Sequence, residues 1–250
     1  MLMLTQFVLR LSFGIAASML LVSPRHVTSG YFRNNLYVLL GLNVLAALLS
    51  SALPSTVNWW MPVAAAAFSY VGAVVWLYER PRLGIVVLGI VAAIDLAAAW
   101  LAAPNPSSGA AAQRLAALDP VTGGLLLGST MAAMLLGHWY LNAPGMPLQP
   151  LVRLIALLAV AVALRAAVCA AGLTCDVAAS GRPDTSSLLF LGLRWIGGLF
   201  GTLLLAIMAW RTLKIPNTQS ATGILYVAVI TTFLGELASG LLSARAGYPL

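Results

Sequence analysis

The amino-acid sequence predicts an all-α polytopic membrane protein, a bundle of about eight transmembrane helices joined by short loops. Composition is the first reason. Of the 250 residues, 61% are hydrophobic and 8% are charged. A soluble domain carries about 25% charged residues and roughly 45–50% apolar ones. Mean hydropathy is +0.97, and a soluble chain of that character would expose too much apolar surface to stay dispersed. The second reason is the length of the apolar runs. A membrane helix needs about 20 apolar residues, and runs of that length recur along the whole chain. The ten-residue alternation of a membrane β-barrel is not seen.

The runs separate in order at proline, which lacks the N–H a helix interior needs. The first covers 4–22 and stops before Pro24. The second, 34–53, stops at Pro54, and the third, 57–78, stops before Pro81. The fourth, 83–103, meets Pro104 and Pro106, and the fifth, 122–142, meets Pro144 and Pro147. Segments 151–172 and 187–209 lie on either side of Pro183, and 222–243 follows Pro216. Spans packed this closely leave no space for a soluble domain, so residues 1–250 read as a single transmembrane domain. The first run resembles no cleavable signal peptide, because no basic residue precedes it and Arg10 interrupts it. It reads as a retained helix. The longer connections are 104–121, with Ala110–Asp119 as a short surface helix, and 173–186.

An even number of spans puts both termini on one side. The opposite side carries Arg25, Arg33, Arg80, Arg82, Arg153, Arg211 and Lys214, against Arg114, Arg182 and Arg245 on the termini side. The positive-inside rule then makes the opposite side cytoplasmic. The expected setting is a bacterial inner membrane with both termini in the periplasm. The net charge of +7 belongs to these loops and to anionic lipid. With one lysine and no basic run, no nucleic-acid partner is expected. Trp59, Trp60 and Trp100 on the termini side, and Trp76, Tyr78, Trp139, Tyr140 and Trp210 on the other, read as interfacial belts.

The scarce charge inside the spans is the informative feature. Arg10, Asp95, Arg165, Arg194 and Glu236 each sit in a different span. Each lies about six to eight residues from the termini-side end, or roughly 9–12 Å deep at the helical rise. Alternate spans run in opposite directions, so this shared depth does not follow from spacing alone. Small or polar residues share their faces. Arg10 goes with Gln6 and Gly14, Asp95 with Ala92 and Ala99, Arg194 with Gly197, Gly198 and Gly201, and Glu236 with Thr232 and Ser239. Such faces are where membrane helices approach one another. One charge at the centre of a span costs about 2.5–3.5 kcal/mol, so pairing is expected, and three cations against two anions leave one positive charge. Two readings stand: an ion-pair network that locks the bundle, and a polar cavity that binds an anionic or carbonyl-bearing ligand.

Other chemistry is sparse. His138, with Met134 and Met131 on its face, and His26 fall on one side of the membrane, where a b-type haem or a copper ion would need them to converge. The alternative is an interfacial histidine with methionine packing. Cys169 and Cys175 lie near a compartment that permits a disulfide, or stand as free buried thiols. There is no G-x-S-x-G, H-E-x-x-H or P-loop. Asp95 and Glu236 as a carboxylate dyad would be held ionised by neighbouring arginines.

The function expected from these features is an integral membrane subunit of a multiprotein complex, redox or respiratory, not catalytic by itself. Its site would take a quinone-like or anionic lipid ligand, with Trp195 available for stacking. A small transporter or channel for an anionic or polar solute, and a scaffold without a ligand, are the alternatives.

Overall fold

The computed structural model describes residues 1–53, 58–103, 109–143, 145–181, 184–215 and 217–250, with the backbone alone at Ser180. Pro54, Pro104, Pro106, Pro144, Arg182, Pro183 and Pro216 lie outside the described residues. The described chain is helical without strands. Its helices are α1 (Leu2–Met19), α2 (Ser29–Ser51), α3 (Trp60–Leu77), α4 (Pro81–Leu101), α5 (Ala110–Asn142), α6 (Gln149–Ser180), α7 (Thr185–Gly192), α8 (Thr202–Leu213) and α9 (Thr218–Ala246). A π-helical segment, Leu193–Gly201, joins α7 to α8 into one continuous span. Eight helical segments are thus long and apolar enough to cross a membrane, and the chain is an all-α polytopic bundle.

Local chemistry sets several ends. Pro81 occupies the first turn of α4, where its missing N–H would be unpaired anyway. The Asp184 side chain accepts the Ser187 N–H at the start of α7, and hydrogen bonding from the Ser187 side chain, aided by that N–H, holds its carboxyl below the usual carboxylate range. Asn217 caps α9 by accepting the Ser220 N–H at 2.9 Å.

Two expected loops are shorter than the sequence suggests. Helix α5 begins at Ala110 and is continuous through Pro120, so 110–119 is the first part of the fifth span and no separate surface helix. Helix α6 runs on to Ser180. Alanine-rich segments with good helix propensity extend both spans beyond their most apolar stretches.

The bundle is built in two halves. In the first, α1 packs on α2, α2 on α3, α3 on α4, and α4 returns to α1. In the second, α5 packs on α6, α6 on α8, α8 on α9, and α9 returns to α5. The cyclic order is the same. The halves join mainly along α1 and α5, the two most buried spans. Glycine makes this seam possible. A Cβ on Gly14 would lie 1.7 Å from the Gly124 carbonyl oxygen, and one on Gly128 would lie 1.8 Å from the Gly14 carbonyl carbon. Only glycine allows backbones this close. The two ends of the chain meet at one end of the bundle, where Met3 packs against Gly240.

The aromatic residues divide. Trp59, Trp60, Trp100, Tyr78 and Trp210 are exposed, as a belt requires. Trp76 and Tyr140 depart from it, because both are buried. Trp76 stacks on Phe32 with centroids 4.1 Å apart, and the Tyr140 hydroxyl donates to the Pro147 carbonyl at 2.5 Å. Their position along the helix is interfacial, but their angular position points them inward.

Candidate functional site

Four of the five singled-out charges converge, and a further residue joins them. Arg165 on α6 is 1% exposed. Its Nε and Nη2 donate to the two carboxylate oxygens of Glu236 on α9, at 3.1 and 3.0 Å. Its Nη1 donates to Asp119 Oδ1 on α5 at 2.5 Å. Asp119 Oδ2 accepts from Arg10 Nη2 on α1. At the other end, Arg194 Nη1 lies 2.8 Å from Glu236 Oε1, an ion pair without hydrogen-bond alignment. The result is a chain of alternating charge: Arg10, Asp119, Arg165, Glu236, Arg194. It ties α1 to the second half of the bundle.

Neutral groups complete it. Ser239 Oγ accepts from Arg165 Nη2 at 3.2 Å, and Gln6 Oε1 accepts from Arg10 Nε at 3.1 Å. Arg194 Nη2 donates to Cys169 Sγ at 3.3 Å. Two glycines make room. A Cβ on Gly123 would crowd Glu236 Oε2 at 3.1 Å, and one on Gly198 would lie 2.6 Å from the Gly235 Cα. Gly235 precedes Glu236, so the Gly198–Gly235 contact sets the distance across which Arg194 reaches it.

Asp119 is the residue that sequence reasoning missed. A fifth span starting at 122 left it in a loop. Charge balance was the available signal, because three arginines against two carboxylates leave one cation for which a further carboxylate is the natural partner.

Asp95 does not join the chain. It sits on α4 in the other half, fully buried. Ser12 Oγ donates to its Oδ2 at 2.6 Å, and Asn43 Nδ2 lies 3.4 Å from the same oxygen. The dyad considered for Asp95 and Glu236 is therefore not formed.

Of the two readings for the cysteines, disulfide or free buried thiols, the structure has both thiols free, with Cys169 buried and Cys175 half-buried. They lie six residues apart on one helix, roughly 9 Å along its axis, beyond the Cα separation of about 7 Å that a disulfide can bridge. His138 is exposed, and its Nδ1 lies 3.3 Å from the Tyr226 hydroxyl on α9. The next residue, Trp139, faces the other way and donates to Thr28 Oγ1 at 2.9 Å. His26 is exposed and Met134 is buried. Among the described residues, no group of three or more His, Cys, Asp or Glu could hold a metal ion. Trp195 is half-buried and packs into the core.

A cavity of about 230 Å³ opens between α1 and α9 at the end where the termini meet. Leu2, Met3, Phe7 and Leu237 form its apolar walls, and Arg10, Asp119, Glu236, Gln6, Ser239 and Ser243 supply its polar surface. Arg10 is 14% exposed along its side chain, whereas Arg165 and Arg194 are at most 1%. Arg10 is thus the arginine that a ligand can reach, and the other two stay inside the protein. No known protein family matches the chain, and no curated protein or solved structure matches it either.

Proposed function

We propose that this integral membrane protein binds an amphiphile, a quinone-like molecule or an anionic lipid, in the α1–α9 cavity. The polar head rests on Arg10, and the apolar tail leaves along Leu2, Met3 and Leu237. The carrying observation is the make-up of that cavity: an apolar mouth over a charged floor. The ion-pair chain has three arginines and two carboxylates, and Arg10, paired with Asp119, is its one arginine at the cavity. An anionic or carbonyl head can accept a hydrogen bond from the Arg10 guanidinium, the accessible cationic donor of the cavity.

The basic excess on the side opposite the termini makes that side cytoplasmic. The cavity then faces the outer leaflet of a bacterial inner membrane, with both termini periplasmic. Short connections and the lack of a nucleophile constellation suit an accessory subunit of a redox-linked membrane complex.

Purification in mild detergent, followed by mass spectrometry and an optical spectrum, tests this reading. A quinone or one anionic lipid class should co-purify well above its share of the membrane, together with partner subunits. A solitary chain carrying lipid in bulk proportions contradicts it.

One observation favours a second reading, transport of an anionic or polar solute. The seventh span is π-helical over Leu193–Gly201, at Arg194. Such segments interrupt regular helix hydrogen bonding and occur often at functional sites. Solute uptake by proteoliposomes that is lost in Arg194→Ala supports transport through Arg194; no uptake by the wild type, or uptake that survives the substitution, contradicts that reading.

A further inference from the structure

The second polar centre of the bundle lies in the first half, whose arginine at this depth, Arg10, is turned to Asp119 on α5. Ser12 on α1, Asn43 on α2 and Asp95 on α4 meet there, all fully buried. The hydrogen-bond directions are determined. Asn43 Nδ2 donates to the Leu39 carbonyl at 3.1 Å, which fixes the amide orientation, and to Ser12 Oγ at 2.9 Å. The Ser12 hydroxyl is then free to donate to Asp95 Oδ2 at 2.6 Å. Two oxygens are left over. Asp95 Oδ1 and Asn43 Oδ1 are buried without a hydrogen-bond partner among the described residues.

Charge around this cluster is distant or already paired. On α4 itself, Arg82 is exposed at the opposite end. Helix α3 contains no charged residue, and its Tyr70 is exposed. Helix α1 brings Arg10 and α5 brings Arg114 and Asp119; Arg10 and Asp119 pair with each other, and Arg114 is exposed. Helix α2 brings an exposed Tyr37, a half-buried Arg33 and a buried Tyr31, the last two about ten to twelve residues from Asn43 and roughly 15–18 Å along the helix. No salt bridge to Asp95 forms among the described residues. An ionised carboxylate without a cation in such a place carries a large desolvation cost. A buried acceptor without a donor adds a further penalty. A proton on Oδ1 removes the first and changes the second. It cancels the charge and turns an unsatisfied acceptor into a donor, and Asn43 Oδ1 is an unsatisfied acceptor in the same cluster.

We propose that Ser12, Asn43 and Asp95 form a proton-binding site within the membrane, with Asp95 carrying the proton on Oδ1 at neutral pH. The site is separate from the arginine chain and does not depend on the cavity's ligand. Its position connects it to that cavity, however. Gln6, a wall of the cavity, donates to the Ala99 carbonyl at 2.8 Å, one helical turn along α4 from Asp95. The two halves thus treat a carboxylate on their last helix differently. Glu236 is neutralised by arginines, and Asp95 by a proton.

Infrared difference spectroscopy on the full chain in nanodiscs tests this. At about pH 7, roughly three units above the ordinary aspartate pKa, the wild type should show a protonated-carboxyl C=O stretch. The band should shift in D₂O and be missing in Asp95→Asn. Absence of the band, or its persistence in Asp95→Asn, overturns the proposal. Ser12→Ala gives a second reading should Asp95→Asn fail to fold. Loss of the hydroxyl bond to Oδ2 should move the band to higher frequency, and an unmoved band overturns the assignment. Loss of the band on adding sodium at constant pH also overturns it, because a metal cation then holds the site.

Discussion

Arg165 and Glu236 meet through two parallel hydrogen bonds of 3.1 and 3.0 Å, buried between α6 and α9. This fork geometry is available to arginine and not to lysine. Both residues also bind outward, Arg165 to Asp119 and Glu236 to Arg194, so this pair is the middle of the charge chain. Breaking a buried pair from one side leaves an uncompensated charge and costs about 3–5 kcal/mol. Glu236→Gln is expected to destabilise by that amount. Arg165→Met with Glu236→Met, which removes both charges, should cost less than the two single changes added together. Thermal unfolding in detergent of the singles and the double checks the non-additivity.

The seam between the halves depends on Gly14 and Gly128. Their backbones are already in contact, so a side chain at either forces α1 and α5 apart. Overpacking of this kind costs about 1–3 kcal/mol, occasionally more. Gly14→Val is expected to lower the unfolding temperature substantially. Gly41→Val, in a glycine with open space around its Cβ position, should leave it nearly unchanged. The same thermal assay compares them.

Cysteine chemistry reports the two environments on α6. Cys175 is half-buried, and Cys169 is fully buried against Arg194. Maleimide should modify one thiol in the folded protein and two after denaturation, without prior reduction. Mass spectrometry counts the adducts. A single adduct under denaturing conditions without reductant would contradict the free thiols.

The orientation proposed for the membrane is open to a direct check. Lys214 is the one lysine of the chain and follows α8, with its Nζ 3.9 Å from the Trp210 ring centroid. Cys175 lies near the other end of the bundle. In intact cells, an impermeant thiol reagent should reach Cys175 while an impermeant amine reagent spares Lys214. The reverse pattern would invert the topology.

The spans were legible because a run of about 20 apolar residues bounded by proline fits a bilayer-crossing helix and little else. Their ends were less so. Helix α5 continues back from 122 to Ala110 because alanine sustains a helix where hydropathy falls, and that extension carries Asp119 into the bundle. Depth was legible too: Arg10, Arg165, Arg194 and Glu236 come together as their common distance from one end suggests. Depth is only one coordinate, however. Asp95 shares it, yet sits in the other half, because angular position follows from which helices pack together. That is fixed by contacts such as Gly14 with Gly128 and Gly198 with Gly235, which are pairwise properties of distant segments. Trp76 and Tyr140 show the same limit, interfacial in height but facing inward.

The anchoring of a polar head by Arg10 in the α1–α9 cavity is open to one direct measurement. It is native mass spectrometry of the wild type and Arg10→Gln, each released from nanodiscs of identical lipid and quinone composition. Arg10 lies at the accessible end of the chain of charges, so its replacement should leave the Arg165–Glu236 pair intact. The wild type should carry a bound quinone or anionic lipid, with at least tenfold weaker retention by the variant, or about 1.4 kcal/mol. Equal retention by the two proteins, with unfolding temperatures that match, would contradict the anchoring role.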